Sequence, residues 1–415
     1  YHCDGSTFEV ANGGTITVDT QILHGGTYDG TTRHARLNGA SVGTNTDAGN
    51  TGTANVYFIG KHPSFTVGAD KKVQEFILYP AYGGNETNIE ENIGGYYDIP
   101  LAGLLDENPG AAAAYSLRRL SSTYTGSAIQ VQRADNVGGT HEIGFDSYGE
   151  LDTTALTTAA QGNDMVVAKW YDQSGNSNDA EQTTSTSRPK IYDGTTGVVN
   201  NPSSSKPSLL WDNNERLINT SLAASGSMSA FTTARIATKF RDGVIDSYES
   251  TSRAHVRIDS TFFYFKDGGS ASTAIDTHYL LSSFQVSGTS KAGFVNGSSD
   301  LSNSNSDAAF DGLSIGSIAG NPNPLSTSFN FGGYIDEIVI YDSDQSSNRT
   351  DIEENIGGYY DIPLAGLLDE NPGAAAAYSL RRLSSTYTGS AVQVQRADNV
   401  GGTTDIGFDS YGELD

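Results

Sequence analysis

Apolar side chains in this chain fall in short runs, many with a period of two, and clusters of Gly, Asn, Asp, Ser and Thr separate the runs. Residues 128–133, 166–171, 207–212, 231–237, 255–259, 262–265, 279–286, 292–296, 313–318 and 334–341 read as strands. In 334–341, Ile335, Val339 and Tyr341 share one parity, and Tyr334, Asp336, Ile338 and Ile340 share the other. Alternation of that kind sends successive side chains to opposite faces of a sheet. Asp267-Gly268-Gly269 and Asn296-Gly297 have the composition of tight turns. Helical text is scarce. Pro109 followed by the Ala- and Leu-rich stretch 111–120 predicts a helix. Asp152 is placed to cap a second, over TTALTTAAQ. Thr87 and Glu90 predict a capping box for a third, stopped by Gly94-Gly95, and Thr350, Glu353 and Gly357-Gly358 repeat that arrangement. Many short strands with regular turns predict an all-β sandwich or barrel with a few short helices.

The text of Thr87 to Asp152 returns almost letter for letter as Thr350 to Asp415, 263 positions on (350 − 87). The copies differ only at Asn88/Asp351, Ile129/Val392, His141/Thr404 and Glu142/Asp405. A period this long is too great for one turn of a solenoid, so each repeat is expected to be a whole domain. A weaker match aligns Arg36-Leu37-Asn38-Gly39 with Phe294-Val295-Asn296-Gly297, and Glu75-Phe76-Ile77-Leu78-Tyr79 with Glu337-Ile338-Val339-Ile340-Tyr341. The expected organisation is therefore the second half of a module over 1–98, a linker over 99–112 and a complete module over 113–361. A second linker follows over 362–375, and 376–415 opens a further module. The chain reads as an excerpt of a longer array.

Composition narrows the partners. The 415 residues carry a formal net charge of −25, which disfavours nucleic acid and anionic membrane. No run is apolar for long enough to insert in a membrane. Cys3 is the one cysteine, so no disulfide framework or cysteine zinc site can form within the chain. Tyr1 begins directly in polar, strand-like text, as expected of a virion protein made inside a cell or of a chain whose true start is absent. The seven His show no helical ligand spacing. Asp and Asn clusters in loops are candidates for Ca²⁺, a hard cation that takes oxygen ligands.

The text FQVSGTSKAGFVNG, LSIGS and GGYIDEIVIYD resembles the second half of a laminin-G or concanavalin A-like jelly roll. YSLRRLSSTYTGSAIQVQRADN, IGF and WYDQSGNSNDAEQ, over about 115–182, are similar to the opening of the catalytic sandwich of family 54 glycoside hydrolases, the α-L-arabinofuranosidases. Modules with this opening also look like those repeated in tail or fibre proteins of marine bacteriophages. The resemblances imply tandem concanavalin A-like/laminin-G jelly-roll sandwiches. They further imply a structural or adhesive role in a virion fibre, tail appendage or extracellular filament, with surface glycans and neighbouring repeats or self-association as partners.

The alternative is an arabinofuranosidase-like hydrolase. A retaining glycosidase needs two carboxylates about 5–5.5 Å apart across the sugar. Neither the family's nucleophile nor its acid aligns with a residue of this chain, and the disulfides of that catalytic domain have no counterpart in the complete module. The chain is therefore expected not to be an enzyme. In the YDQSGN text, Asp172, Gln173, Asn176, Asn178 and Asp179 read as turn architecture, with a Ca²⁺ or sugar site as the alternative. Trp170 and Trp211, each inside an apolar run, are expected in the core rather than as sugar platforms.

Overall fold

In the computed structural model the chain forms two compact units, residues 1–103 and 104–415. The structure describes residues 102–212, 214–237, 242–248, 254–259, 262–266, 279–287, 290–303, 309–317 and 330–364. It also describes 22–28, 32–46 and the short pieces 2–3, 8–9, 77, 93, 99, 392–394 and 404–406. The first Thr87 capping box and most of the second linker, 365–375, lie outside the described residues. Most of the first linker is described and holds the helix Leu104–Glu107 and the start of the strand Ala111–Ser116.

The first unit contains an antiparallel meander of β1 (His24–Tyr28), β2 (Thr32–Leu37) and β3 (Ala40–Thr46). Asn38 and Gly39 turn β2 into β3 with φ of +50° and +84°, the pair of positive values that a two-residue hairpin needs. The Asn38 side chain accepts the Leu23 amide at 2.8 Å.

In the second unit α1 (Leu104–Glu107) precedes β4 (Ala111–Ser116), β5 (Ile129–Arg133) and β6 (Thr140–Ile143). Next come α2 (Thr153–Ala160), β7 (Met165–Trp170), β8 (Ala180–Glu181), β9 (Lys190–Asp193) and β10 (Gly197–Val198). The middle of the chain supplies β11 (Leu209–Asp212), β12 (Leu217–Ser225), β13 (Met228–Ile236), β14 (Asp242–Ser247), β15 (His255–Asp259) and β16 (Phe262–Lys266). The unit continues through β17 (Tyr279–Ser287), β18 (Ser290–Val295), β19 (Ser298–Asn303), β20 (Ala309–Ile315), β21 (Gly332–Tyr341) and α3 (Arg349–Tyr360).

All pairings are antiparallel, and the strands form one large sheet curled into two layers. In the first layer β21 pairs with β13 on one edge and, in succession, with β11 and β4 on the other. The layer continues from β13 through β17 and β18 to β19. The second layer runs β6–β5–β7–β8–β12–β20–β14–β15–β16. Lys190 of β9 opposite Leu210 of β11 joins the layers at a corner. The main apolar core lies between them and includes Trp170, Trp211, Leu217, Leu280, Phe284, Ile315 and Ile338. A second cluster, with Leu104, Phe231, Leu281, Val339, Tyr341, Ile352, Ile356 and Tyr360, lies on the first layer's outer face beneath α1 and α3. The fold is all-β with a few short helices, as the alternation and turn text lead one to expect, and both Trp are core residues.

Three local results connect sequence to fold. Residues 111–116 form strand β4 instead of the expected helix. Ala113 faces the core between the layers and Ala114 the cluster under the helices, and both are fully buried. Burial on both faces and a ladder to β21 outweigh alanine's helix preference. Asn296-Gly297 repeats the Asn38-Gly39 hairpin, with φ of +48° and +80° and with Asn296 accepting the Leu281 amide at 2.8 Å. The second copy of the repeated text also forms its hairpin in the same register. β22 (Val392–Val394) faces β23 (Thr404–Ile406) with Val392 opposite Ile406, as Ile129 is opposite Ile143.

Asp152 caps α2 by accepting the Ala155 amide at 2.8 Å. α3 behaves differently from its sequence reading. Its N-cap is Asn348, with no side-chain cap bond, and the helix passes through Gly357-Gly358 to Tyr360. Gly357 instead admits Leu364, whose side chain would lie 3.1 Å from a Cβ there. Glu353 is turned to the sheet, bonding Ser283 and Arg349 instead of the helix end.

β21 carries two adjacent buried carboxylates, and a bulge opposite Thr233 and Ala234 turns them to different surroundings. Glu337 receives Arg118 at 2.8 and 2.9 Å and the Ser116 hydroxyl at 2.7 Å. Asp336 receives the Asn201 amide at 2.9 and 3.2 Å. Burial pushes the Asp336 carboxyl up from 3.8 to about 7, against the hydrogen bonds from Ser208, Tyr279 and Asn201 that pull it down. Between those values the folded chain holds a proton that the unfolded chain has released, so this group's stabilising contribution is lost as pH rises toward 7. Thermal unfolding should occur at a higher temperature near pH 5 than near pH 7.5, and Asp336→Asn should flatten that slope. An unchanged slope in the variant would contradict the assignment.

Candidate functional site

The five residues singled out in the YDQSGN text are brought together in one loop after β7. Asp172 accepts the Ala114 amide at 2.8 Å, the Ser174 amide at 2.9 Å, the Ser174 hydroxyl at 2.7 Å and the Asn178 amide at 2.9 Å. Gln173 accepts the Leu120 amide at 2.8 Å and donates to the carbonyls of Ser116 and Arg118 at 3.0 and 2.9 Å. Asn176 donates to the Ala111 carbonyl and Asn178 to the Ala112 carbonyl, both at 2.9 Å. Asp179 accepts the Asp172 amide at 3.0 Å and lies 3.5 Å from the Lys169 ammonium.

These bonds have a common purpose. β4 pairs with β21 along one edge, and the loop supplies partners along the other, including the Gln173 amide to the Ala114 carbonyl at 2.8 Å. It takes the place of a strand that would otherwise have to cover that edge. Gly175, at φ +89°, lets the chain double back. Among the described residues, no group of three or more His, Cys, Asp or Glu is placed to hold a metal ion. No helix among them is long and apolar enough to cross a membrane, which says nothing of strands.

A different polar grouping lies on the second layer's face away from the core. Ile245, Val256 and Ile315 point into the core, so the neighbouring row, Ser314, Asp246 and His255, points outward, each directly opposite the next. That row continues along the sheet through Ile218, Glu181, Lys169, Gln130 and Glu142. Its far half is half-buried to exposed. Lys169 pairs with Glu181 at 2.6 Å, Gln130 donates to Glu142 at 2.7 Å, and the Tyr171 hydroxyl donates to Glu142 at 3.1 Å.

The near half is closed off. Asp246 is 0% and His255 4% exposed. His255 Nδ1 lies 3.6 Å from Asp246 Oδ1, and neither ring nitrogen has a hydrogen-bond partner among the described residues. Ser314 and Ser317 share a hydroxyl–hydroxyl bond of 2.9 Å beside the pair. Buried polar groups are nearly always bonded, so an imidazole held in this way beside a carboxylate stands out. No sequence spacing reveals the couple. β14 does not read as a strand, and Asp246 and His255 are nine positions apart and meet only once the hairpin register is fixed.

No family model matches this sequence, and no curated protein matches it. Among solved structures, the chain is similar to a family 54 α-L-arabinofuranosidase soaked with 4-nitrophenyl α-L-arabinofuranoside. Identity is 15% over 73% of this chain and 77% of that one, with a TM-score of 0.50. An arabinofuranosidase in complex with arabinofuranosyl-α-1,2-xylobiose matches at 16% identity over 73% and 77%, with a TM-score of 0.48. A domain of an extracellular arabinanase from Geobacillus stearothermophilus matches at 16% identity over 44% of this chain and 91% of that one, with a TM-score of 0.32. What the chain shares with the first of these is the β-sandwich fold. The expectation that the chain is not an enzyme is corrected here, because the fold it shares is that of a glycoside hydrolase. The missing disulfides do not exclude that fold: the core between the layers closes without them.

If the 172–179 loop is an edge cover, Asp172→Ala should cost about 2–4 kcal/mol by leaving buried amides without acceptors. Millimolar Ca²⁺ should leave the unfolding temperature of the unmodified chain unchanged. A Ca²⁺-dependent rise that Asp172→Ala removes would make the loop a metal site instead.

Proposed function

We propose that this chain acts on glycans, as a hydrolase of the arabinofuranosidase type, with Asp246 as one of its working carboxylates. The observation that carries the reading is the Asp246–His255 couple on the sandwich face turned away from the core. Sharing the arabinofuranosidase fold supports it, although fold alone does not fix chemistry. A buried carboxylate beside an imidazole can be held in one orientation, as acid–base or nucleophilic chemistry at a sugar carbon requires. Asp246 is the only carboxylate of the outward row that is fully buried.

A second reading, favoured by the near-identical repeat, makes the module one unit of an adhesive array on a virion fibre or extracellular filament. Repetition would multiply weak contacts with surface glycans through effective concentration. A glycan array probed with the intact chain addresses that reading separately.

For the hydrolase reading, 4-nitrophenyl α-L-arabinofuranoside should release nitrophenol, and Asp246→Asn should lower kcat by at least about 100-fold with the fold intact. An unmodified chain that releases no nitrophenol from this or other aryl furanosides would reject the hydrolase.

A further inference from the structure

The repeated text holds both halves of one clasp. The helix half is α3 with the residues after it. Ile352, Ile356, Tyr360 and Ile362 enter the cluster under the helices, and Asn355 accepts Arg118 at 2.8 Å. The Tyr359 ring centre lies 4.4 Å from the Arg118 guanidinium and 4.1 Å from the Lys206 ammonium, and its hydroxyl bonds Glu150. The socket half includes Arg118 and Glu150. In sequence, the helix half recurs as Ile89, Asn92, Ile93, Tyr96, Tyr97 and Ile99, and the socket residues recur as Arg381 and Glu413. The complete module therefore takes its socket from the first copy of the text and its helix from the second.

A helix that fits this socket is thus encoded more than once in every chain. We infer that the socket is an exchange surface whose alternative occupant is the corresponding helix of a second copy of this chain. The contacts that fasten α3 are made by residues common to both copies, with one exception. Arg349 pairs with Glu353, donates to the Gly297 carbonyl and lies 3.9 Å over the Phe294 ring. The first copy has Glu86 at that position, one helical turn before Glu90. A like-charge pair replaces an ion pair there. Arg349 thereby marks α3 as the preferred occupant, and a helix from another chain that carries Arg349 competes on equal terms. Exchange of an identical element between copies requires no new surface, and it joins chains through contacts that already exist.

Full chains carrying Cys3→Ser test this. One pool bears a donor dye at Asp351→Cys, on the exposed side of α3, and the other an acceptor at Tyr148→Cys, an exposed position two residues from Glu150. The pools are mixed, warmed to just below unfolding and cooled. Energy transfer between chains should appear, grow with concentration and be suppressed by excess unlabelled peptide of sequence 349–364. Arg349→Glu in the donor pool should reduce it several-fold. Absence of transfer between chains, while a single doubly labelled chain shows it, would overturn the inference. Transfer that the peptide leaves unchanged would overturn it too, by placing the association elsewhere.

Discussion

A carboxylate buried in the most enclosed strand of the sandwich sets the terms for its surroundings. Glu337 is fully shielded from water, and a lone charge there would cost several kcal/mol. It is tolerated because Arg118 meets it with two bonds, Ser116 adds a third, and the Tyr360 hydroxyl approaches at 3.2 Å. Those groups come from β4, from the segment after it and from the end of α3. Holding Glu337 therefore fixes the first strand, the central strand and the closing helix together. Asp336, next along the chain, is turned by the bulge to Asn201 and meets its burial by favouring the proton.

Much of this architecture is legible in the sequence because burial in a sandwich is written as alternation. The strand readings at 255–259 and 334–341 fall on β15 and β21, and Asn-Gly marks its hairpin in both units. The reading fails where long-range contacts override local preference. Four alanines suit a helix, but they also suit a strand squeezed between two layers, and only the ladder to β21 decides. Glu353 has the spacing of a capping residue, yet it is drawn to Ser283 on the sheet. The loop at 172–179 is recognisable as polar, whereas its work along the edge of β4 depends on where that edge lies. Asp246 and His255 become neighbours only through hairpin register, and no one-dimensional pattern encodes that.

The two outer faces of the sandwich have different work. The first layer is covered by helices, and its polar groups are spent on fastening them. The second carries a row that passes from exposed Glu142 to the enclosed Asp246–His255 couple, and the proposed chemistry is placed there. The repeated text reaches both sides: it supplies the opening strand and the closing helix of the fastened side, and β5 and β6, with Gln130 and Glu142, of the other. The Asp246–His255 couple itself lies outside the duplicated stretch.

A double-mutant cycle on Arg118 and Glu337, read by chemical denaturation, tests most directly whether the buried pair organises the module. Arg118→Met and Glu337→Gln should each lower stability by about 3 kcal/mol. The double variant should recover roughly 2 kcal/mol or more of the summed loss, because neither charge is then left buried alone. Losses that simply add would show that the two side chains act independently, and the account of a module held through Glu337 would fail.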